Sequence, residues 1–186
     1  MTGCRTALIA TAFAMLVFLI INRNYKICAL IALVALMLGI YFIINPEQFP
    51  RIEKLMDNFS VRTKIWQAAI KGIQAHPLFG QGPMTYMMIF KQYAGHNTQH
   101  AHSVYLDPIL SFGILGISVL IPYITDNCKR LFSIYKRKLN YRYVALVISC
   151  IAIILIHGML DYTIFWIHTG LLFLFIASSF EMYNDN

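Results

Sequence analysis

His100 and His102 stand two residues apart where a polar loop gives way to an apolar run. The imidazole titrates near neutral pH, so a ring fixed at a helix start can take a proton from an attacking hydroxyl. Two residues apart, the rings share no helix face, and without a turn only one of them points into a site; His102 is the expected base and His100 an orienting neighbour. The competing chemistry is metal binding, because His76, His96, His100 and His102 crowd one loop and His-x-His can chelate zinc. No cysteine joins them, and Glu53, Asp57 and Asp107 are the only acids nearby in sequence, so no metal is expected. Arg62 is expected in the first turn of a helix capped by Ser60. There a guanidinium and free backbone N–H groups would grip phosphate together. His157 and Asp161 are four apart and share a face if their helix persists, which would let them pair at its end. His168 is expected inside a helix, packed toward its neighbours.

These residues need elements to hold them, and the composition says which kind. The chain has 186 residues, 59% hydrophobic and 12% charged, with a mean hydropathy of +0.63. A soluble domain carries about 25% charged residues. The pattern predicts an all-α polytopic membrane protein with about five transmembrane helices. The apolar runs are 6–22, 27–45, about 103–125, 143–160 and 162–180. The large polar loop 46–102 between the second and third is expected to carry a helix ended by Pro77, a turn over 77–83 and a short helix from Met84 to Tyr93. Four scattered cysteines show neither metal spacing nor a disulfide framework.

Basic residues set the orientation. Lys129, Arg130, Lys136, Arg137, Lys138 and Arg142 crowd the 126–142 loop, and Arg23 and Lys26 mark the first turn. The positive-inside rule puts these on the cytoplasmic side and the 46–102 loop outside. Arg5, Arg62, His100, His102 and Asp161 then reach one extracytoplasmic face. The net charge of +7 reads as topology and anionic partners, with no nucleic-acid partner. A transporter is disfavoured, since no span is expected to be broken by Gly or Pro near its middle.

Three stretches carry a family resemblance. Arg62-x-x-x-Trp66 with His76-Pro77-Leu78-Phe79-Gly80-Gln81-Gly82-Pro83 resembles the loop signature of bacterial O-antigen ligases and polymerases. His102-Ser103, nine residues, then Gly113-x-x-Gly116 is similar to the motif that ends that loop. Thr2 to Leu8, with Arg5, looks like the family's first arginine motif, and Asp161 like its late acidic position. The resemblance implies a GT-C type glycosyltransferase of the cytoplasmic membrane. It would move a glycan from a polyprenyl diphosphate carrier to an acceptor hydroxyl on the extracytoplasmic side, with no cofactor and no metal. Arg5 and Arg62 would hold the diphosphate, His102 would deprotonate the acceptor, and Asp161 would support the acceptor or an arginine. Gly113 and Gly116 would let another helix approach closely. Family members usually have more spans, so residues 1–186 are expected to form one membrane domain, the C-terminal part of a larger fold. The alternative is an inactive remnant or a partner subunit.

Overall fold

The computed structural model describes residues 5–45 and 53–178, apart from the side chains of 5, 8, 42 and 53–58. The elements in order are α1 (Arg5–Ile21), α2 (Tyr25–Ile44), α3 (Glu53–Ala75), α4 (Thr85–Ile89), α5 (Leu106–Ser118), α6 (Leu120–Lys136), α7 (Tyr141–His157) and α8 (Ile167–Ser178), with a 3₁₀ turn over Thr163–Phe165. The described residues form no strand, and the fold is all-helical.

α1 and α2 form a hairpin, and α1 packs along α7. Ala10, Ala14 and Ala145 are buried there, and such small side chains let helices approach closely. α7 starts at Asn140, whose side chain accepts the Tyr143 N–H at 3.0 Å, a cap on an otherwise free donor. One core joins α3, α4 and α5 through Ile65, Ala68, Ala69, Tyr86, Ile89 and Leu110. A second joins Leu131 and Ile134 of α6 to Tyr143, Val144 and Val147 of α7 and Ala177 of α8.

Several elements differ from the sequence expectation. α3 already begins at Glu53, so Ser60 is a helix interior residue and Arg62 is not in a first turn. The free N–H groups of a helix start are therefore not beside Arg62. The expected third run, 103–125, is not one straight helix. Its backbone breaks at Gly113 (φ 66°, ψ −177°), and α5 and α6 then meet at a bend of 74°.

The break is held by the turn after α3. The N–H groups of Gln81 and Gly82 donate to the carbonyls of Leu110 and Ser111, at 3.1 and 2.8 Å. Those of Ile114 and Leu115 donate to Pro77 and Leu78, at 2.9 and 3.0 Å. Groups released from the helix ladder thus find partners across the break, as buried backbone requires. Gly113 sits in a backbone region essentially reserved for glycine, and a Cβ there would strike the Leu78 carbonyl and the Gly80 nitrogen. Its role is to admit this turn, not another helix; a Cβ at Gly116 would meet only Phe112 of its own helix.

The 126–142 loop is mostly the helix α6, and the expected fifth run begins with the 3₁₀ turn. His168 therefore lies exposed in the first turn of α8 instead of packed inside a helix. Among the described residues no single helix is long and apolar enough to cross a membrane, whereas the bent pair α5–α6 is, by length and composition.

Candidate active site

The chemistry gathers at the C-terminal end of α7. That helix stops at His157 because Gly158 and the following turn redirect the chain, with the Asp161 N–H donating to the His157 carbonyl at 3.0 Å. Gly158 gives its carbonyl to the Val104 N–H at 2.8 Å. A Cβ on Gly158 would run into the Val104 side chain, so glycine lets the 100–104 segment lie directly on the end of α7.

That docking sets His102 against Asp161, with His102 Nδ1 3.1 Å from Asp161 Oδ1. The same carboxylate oxygen accepts the Tyr162 N–H at 2.8 Å. The His102 hydrogen bond, ahead of the Tyr162 N–H, holds the Asp161 carboxyl well below the usual carboxylate range, at about 2, against the opposing effect of burial. An ionised Asp161 can only accept, so Nδ1 of His102 is the donor, and in a neutral ring Nε2 then keeps its lone pair. His102 and Asp161 are both partly exposed, so ligands can reach the pair.

His100 belongs to the same cluster. His102 sits at φ 47°, a left-handed turn uncommon for non-glycine residues but one that histidine adopts more readily than most. The turn brings the two rings to 4.4 Å between centroids. The two histidines therefore do face one place, by the turn the sequence pattern does not announce. His100 Nδ1 accepts the His102 backbone N–H at 3.2 Å. Its ring is buried against Phe165, Tyr162 and Trp166, at 4.9, 6.0 and 6.3 Å. Burial first, then His102, pushes the His100 pKa down to about 4, while Asp161 pulls the other way. His100 is thus a neutral ring near pH 7, packed into the wall.

Asp107, noted from the sequence only as an acid near the histidine loop, is buried and accepts the Ala101 N–H at 2.7 Å. Ser103 Oγ accepts the N–H groups of Tyr105 and Leu106, both at 3.3 Å. Side chains on both sides of His102 therefore tie its backbone to the start of α5. The aromatic wall was also missed. Its signal was Tyr162-x-x-Phe165-Trp166, an aromatic cluster directly after Asp161 among aliphatic neighbours.

The expected arginines are placed differently. Arg62 is on α3, partly exposed, and among the described residues no hydrogen bond or ion pair joins it to His102 or Asp161. The side chain of Arg5 lies outside the described residues, although Arg5 opens α1. α1 ends and α7 begins around one pocket that Ile21, Asn22, Tyr141 and Arg142 line. The two helices therefore run antiparallel, and the start of α1 lies toward the end of α7 that carries Asp161. The four-histidine loop cluster does not form. His76 and His96 are exposed, and the described group with ligand atoms within 4.8 Å of one another is His100, His102 and Asp161.

A family model described as O-antigen ligase matches residues 1–121. No curated protein and no solved structure gives a significant match. The matched stretch contains Arg5, Arg62, His100 and His102 and stops short of Asp161, so the pairing of Asp161 with His102 rests on geometry.

Proposed function

This chain belongs to the O-antigen ligase family, and from that premise we propose that it takes part in glycan transfer from a polyprenyl diphosphate carrier to an acceptor hydroxyl at a membrane. The observation that carries the reading is the 3.1 Å contact between His102 Nδ1 and Asp161 Oδ1. With Nδ1–H turned to Asp161, Nε2 takes the proton of the acceptor hydroxyl. The acceptor oxygen bonds to the anomeric carbon as the bond from that carbon to the carrier's diphosphate oxygen breaks, and the diphosphate leaves with the electron pair. Asp161 fixes the tautomer and balances the charge of the protonated ring, as a carboxylate does behind a catalytic histidine. His100 orients the His102 backbone. Arg5, at the start of α1, and Arg62, on α3, are assigned to the diphosphate, with charge-assisted hydrogen bonds to its oxygens.

The membrane reading rests on exposed apolar surface. On α2, Leu30, Leu33, Leu36, Met37, Leu38 and Ile40 are all exposed. A helix that is apolar all round needs protein or lipid around it. The cytoplasmic membrane, with the His102 end extracytoplasmic, fits the positions of the basic residues.

The test is transfer by the purified full chain, with its other membrane components if the assembly needs them, from a polyprenyl diphosphate-linked glycan. His102→Ala should slow it by about 10²–10⁴, the usual weight of general base catalysis. Unchanged turnover in that variant would rule the assignment out. A second reading is favoured by one observation, the ligand atoms of His100, His102 and Asp161 within 4.8 Å of one another. On that reading the cluster holds a divalent cation. Chelator treatment separates the two, because the base mechanism predicts no loss of activity. Loss restored by zinc would establish the cation.

A further inference from the structure

The opposite end of α7 holds a second site of different chemistry. We propose that the pocket between the α1–α2 turn and the α6–α7 turn binds a phosphate-bearing anion. The pocket has a volume of about 390 Å³ and is lined by Asn22, Arg23, Lys138, Asn140, Tyr141 and Arg142, with Ile21 and Leu139. Its charged lining is three cations and no acid. Among the described residues none of the three has a carboxylate partner, and the ion pair on nearby α6, Lys129 with Asp126, is exposed and leaves them untouched.

Two of the neutral polar side chains of the lining already have partners. Asn22 Nδ2 donates to the Phe18 carbonyl at 2.8 Å, and Asn140 caps α7. The three cations and the Tyr141 hydroxyl are the lining groups that can meet a ligand. Their placement is specific. Arg23 and Lys138 each sit at φ 59°, where a β-carbon is disfavoured and glycine would be easier. The Arg23 guanidinium lies 6.0 Å from the Tyr141 ring centroid, a cation–π contact that orients it. Two turns far apart in sequence thus present cations to one concavity, where like charges disfavour one another until an anion arrives. Arginine forks match phosphate oxygens in geometry as well as charge. The source of the phosphate is a phospholipid headgroup or free phosphate, and basic pockets between helix ends suit the former.

The test uses the full chain in nanodiscs of phosphatidylcholine with and without phosphatidylglycerol, and in detergent with inorganic phosphate, read by thermal unfolding and by lipid retention in native mass spectrometry. Phosphatidylglycerol should raise the unfolding temperature, and Arg23→Gln with Arg142→Gln should weaken its retention by about tenfold or more. Arg130→Gln with Lys136→Gln removes the same charge from α6 outside the pocket and should leave retention near that of the parent. If the pocket double variant fails to fold in phosphatidylcholine alone, Lys138→Gln provides the same comparison with one charge removed. A shift produced by inorganic phosphate, with nothing added by phosphatidylglycerol, assigns the pocket to free phosphate and keeps the proposal. Equal losses in the pocket and α6 variants, or no shift from either anion, overturn it. The outcome is independent of His102, so it stands or falls apart from the transfer chemistry.

Discussion

α7 has two ends, about 25 Å apart for its 17 residues, and they manage polar groups in opposite ways. At the C-terminal end the described groups around His102 are paired. Asp161 takes His102 and the Tyr162 N–H, His100 takes the His102 N–H, and Asp107 takes the Ala101 N–H. A glycine contact, Gly158 against Val104, brings the two backbones close there. At the N-terminal end Arg23, Lys138 and Arg142 share a pocket with no acid. The contrast teaches that a preorganised proton-transfer pair must be satisfied before its substrate arrives, whereas a site that takes an anion can leave its charges unmatched until then.

The largest effect that would break this contrast is loss of the proposed base. With turnover falling by about 10²–10⁴ in His102→Ala, His100→Ala should cost far less, because its ring positions the loop and takes no proton from the acceptor. Equal damage from both substitutions would make the two rings joint ligands and would bring back the cation. Asp161→Asn keeps the shape but loses the charge that fixes the tautomer. Its rate should fall less than that of His102→Ala, and the pH profile of turnover should move. An unmoved profile would remove Asp161 from the mechanism.

Gly113→Ala sharpens the structural half of the comparison. A Cβ at φ 66°, against the Leu78 carbonyl and the Gly80 nitrogen, should lower stability by about 1–3 kcal/mol or more. It should disturb the turn 77–82 before it disturbs α7. Thermal unfolding in detergent measures the first, and hydrogen exchange over residues 77–82 the second. A variant as stable as the parent would mean that the break does not depend on glycine.

The smallest effect is on pH dependence. His100 has a folded pKa of about 4, below its unfolded value near 6.5, so between those values the unfolded chain binds more protons. Stability should therefore decline as pH falls from about 6.5 toward about 4. Asp161, with a folded value of about 2 against 3.8 unfolded, adds a further loss as pH falls through that lower window. His100→Gln should flatten the upper part of the curve alone, as read by unfolding temperature against pH. An unchanged curve would mean that His100 is not held neutral by the fold.

Much of the fold was legible in the residues. Long apolar runs and short polar turns dictate helices, since an apolar run must satisfy its own backbone wherever it is buried. The turn after Pro77, the first hairpin and His102 as the residue next to the apolar run were readable in the same way. The placement of Arg62 at a helix start was misread, because Ser60, although a favoured cap, is also tolerated inside a helix, and α3 begins at Glu53.

By itself the sequence determined which side chains can carry a proton or a charge, and which stretches are too apolar to stand in water. Tertiary structure alone decided that Asp161, 59 residues from His102, would meet its ring. It also decided that His100 would turn to the same place, that Gly113 would open a helix to a loop, and that three cations from two turns would share a pocket. The physical reason is that helical periodicity is local, repeating every few residues. Contacts across tens of residues depend on how close two backbones can come, and at Gly158 and Gly113 glycine sets that distance.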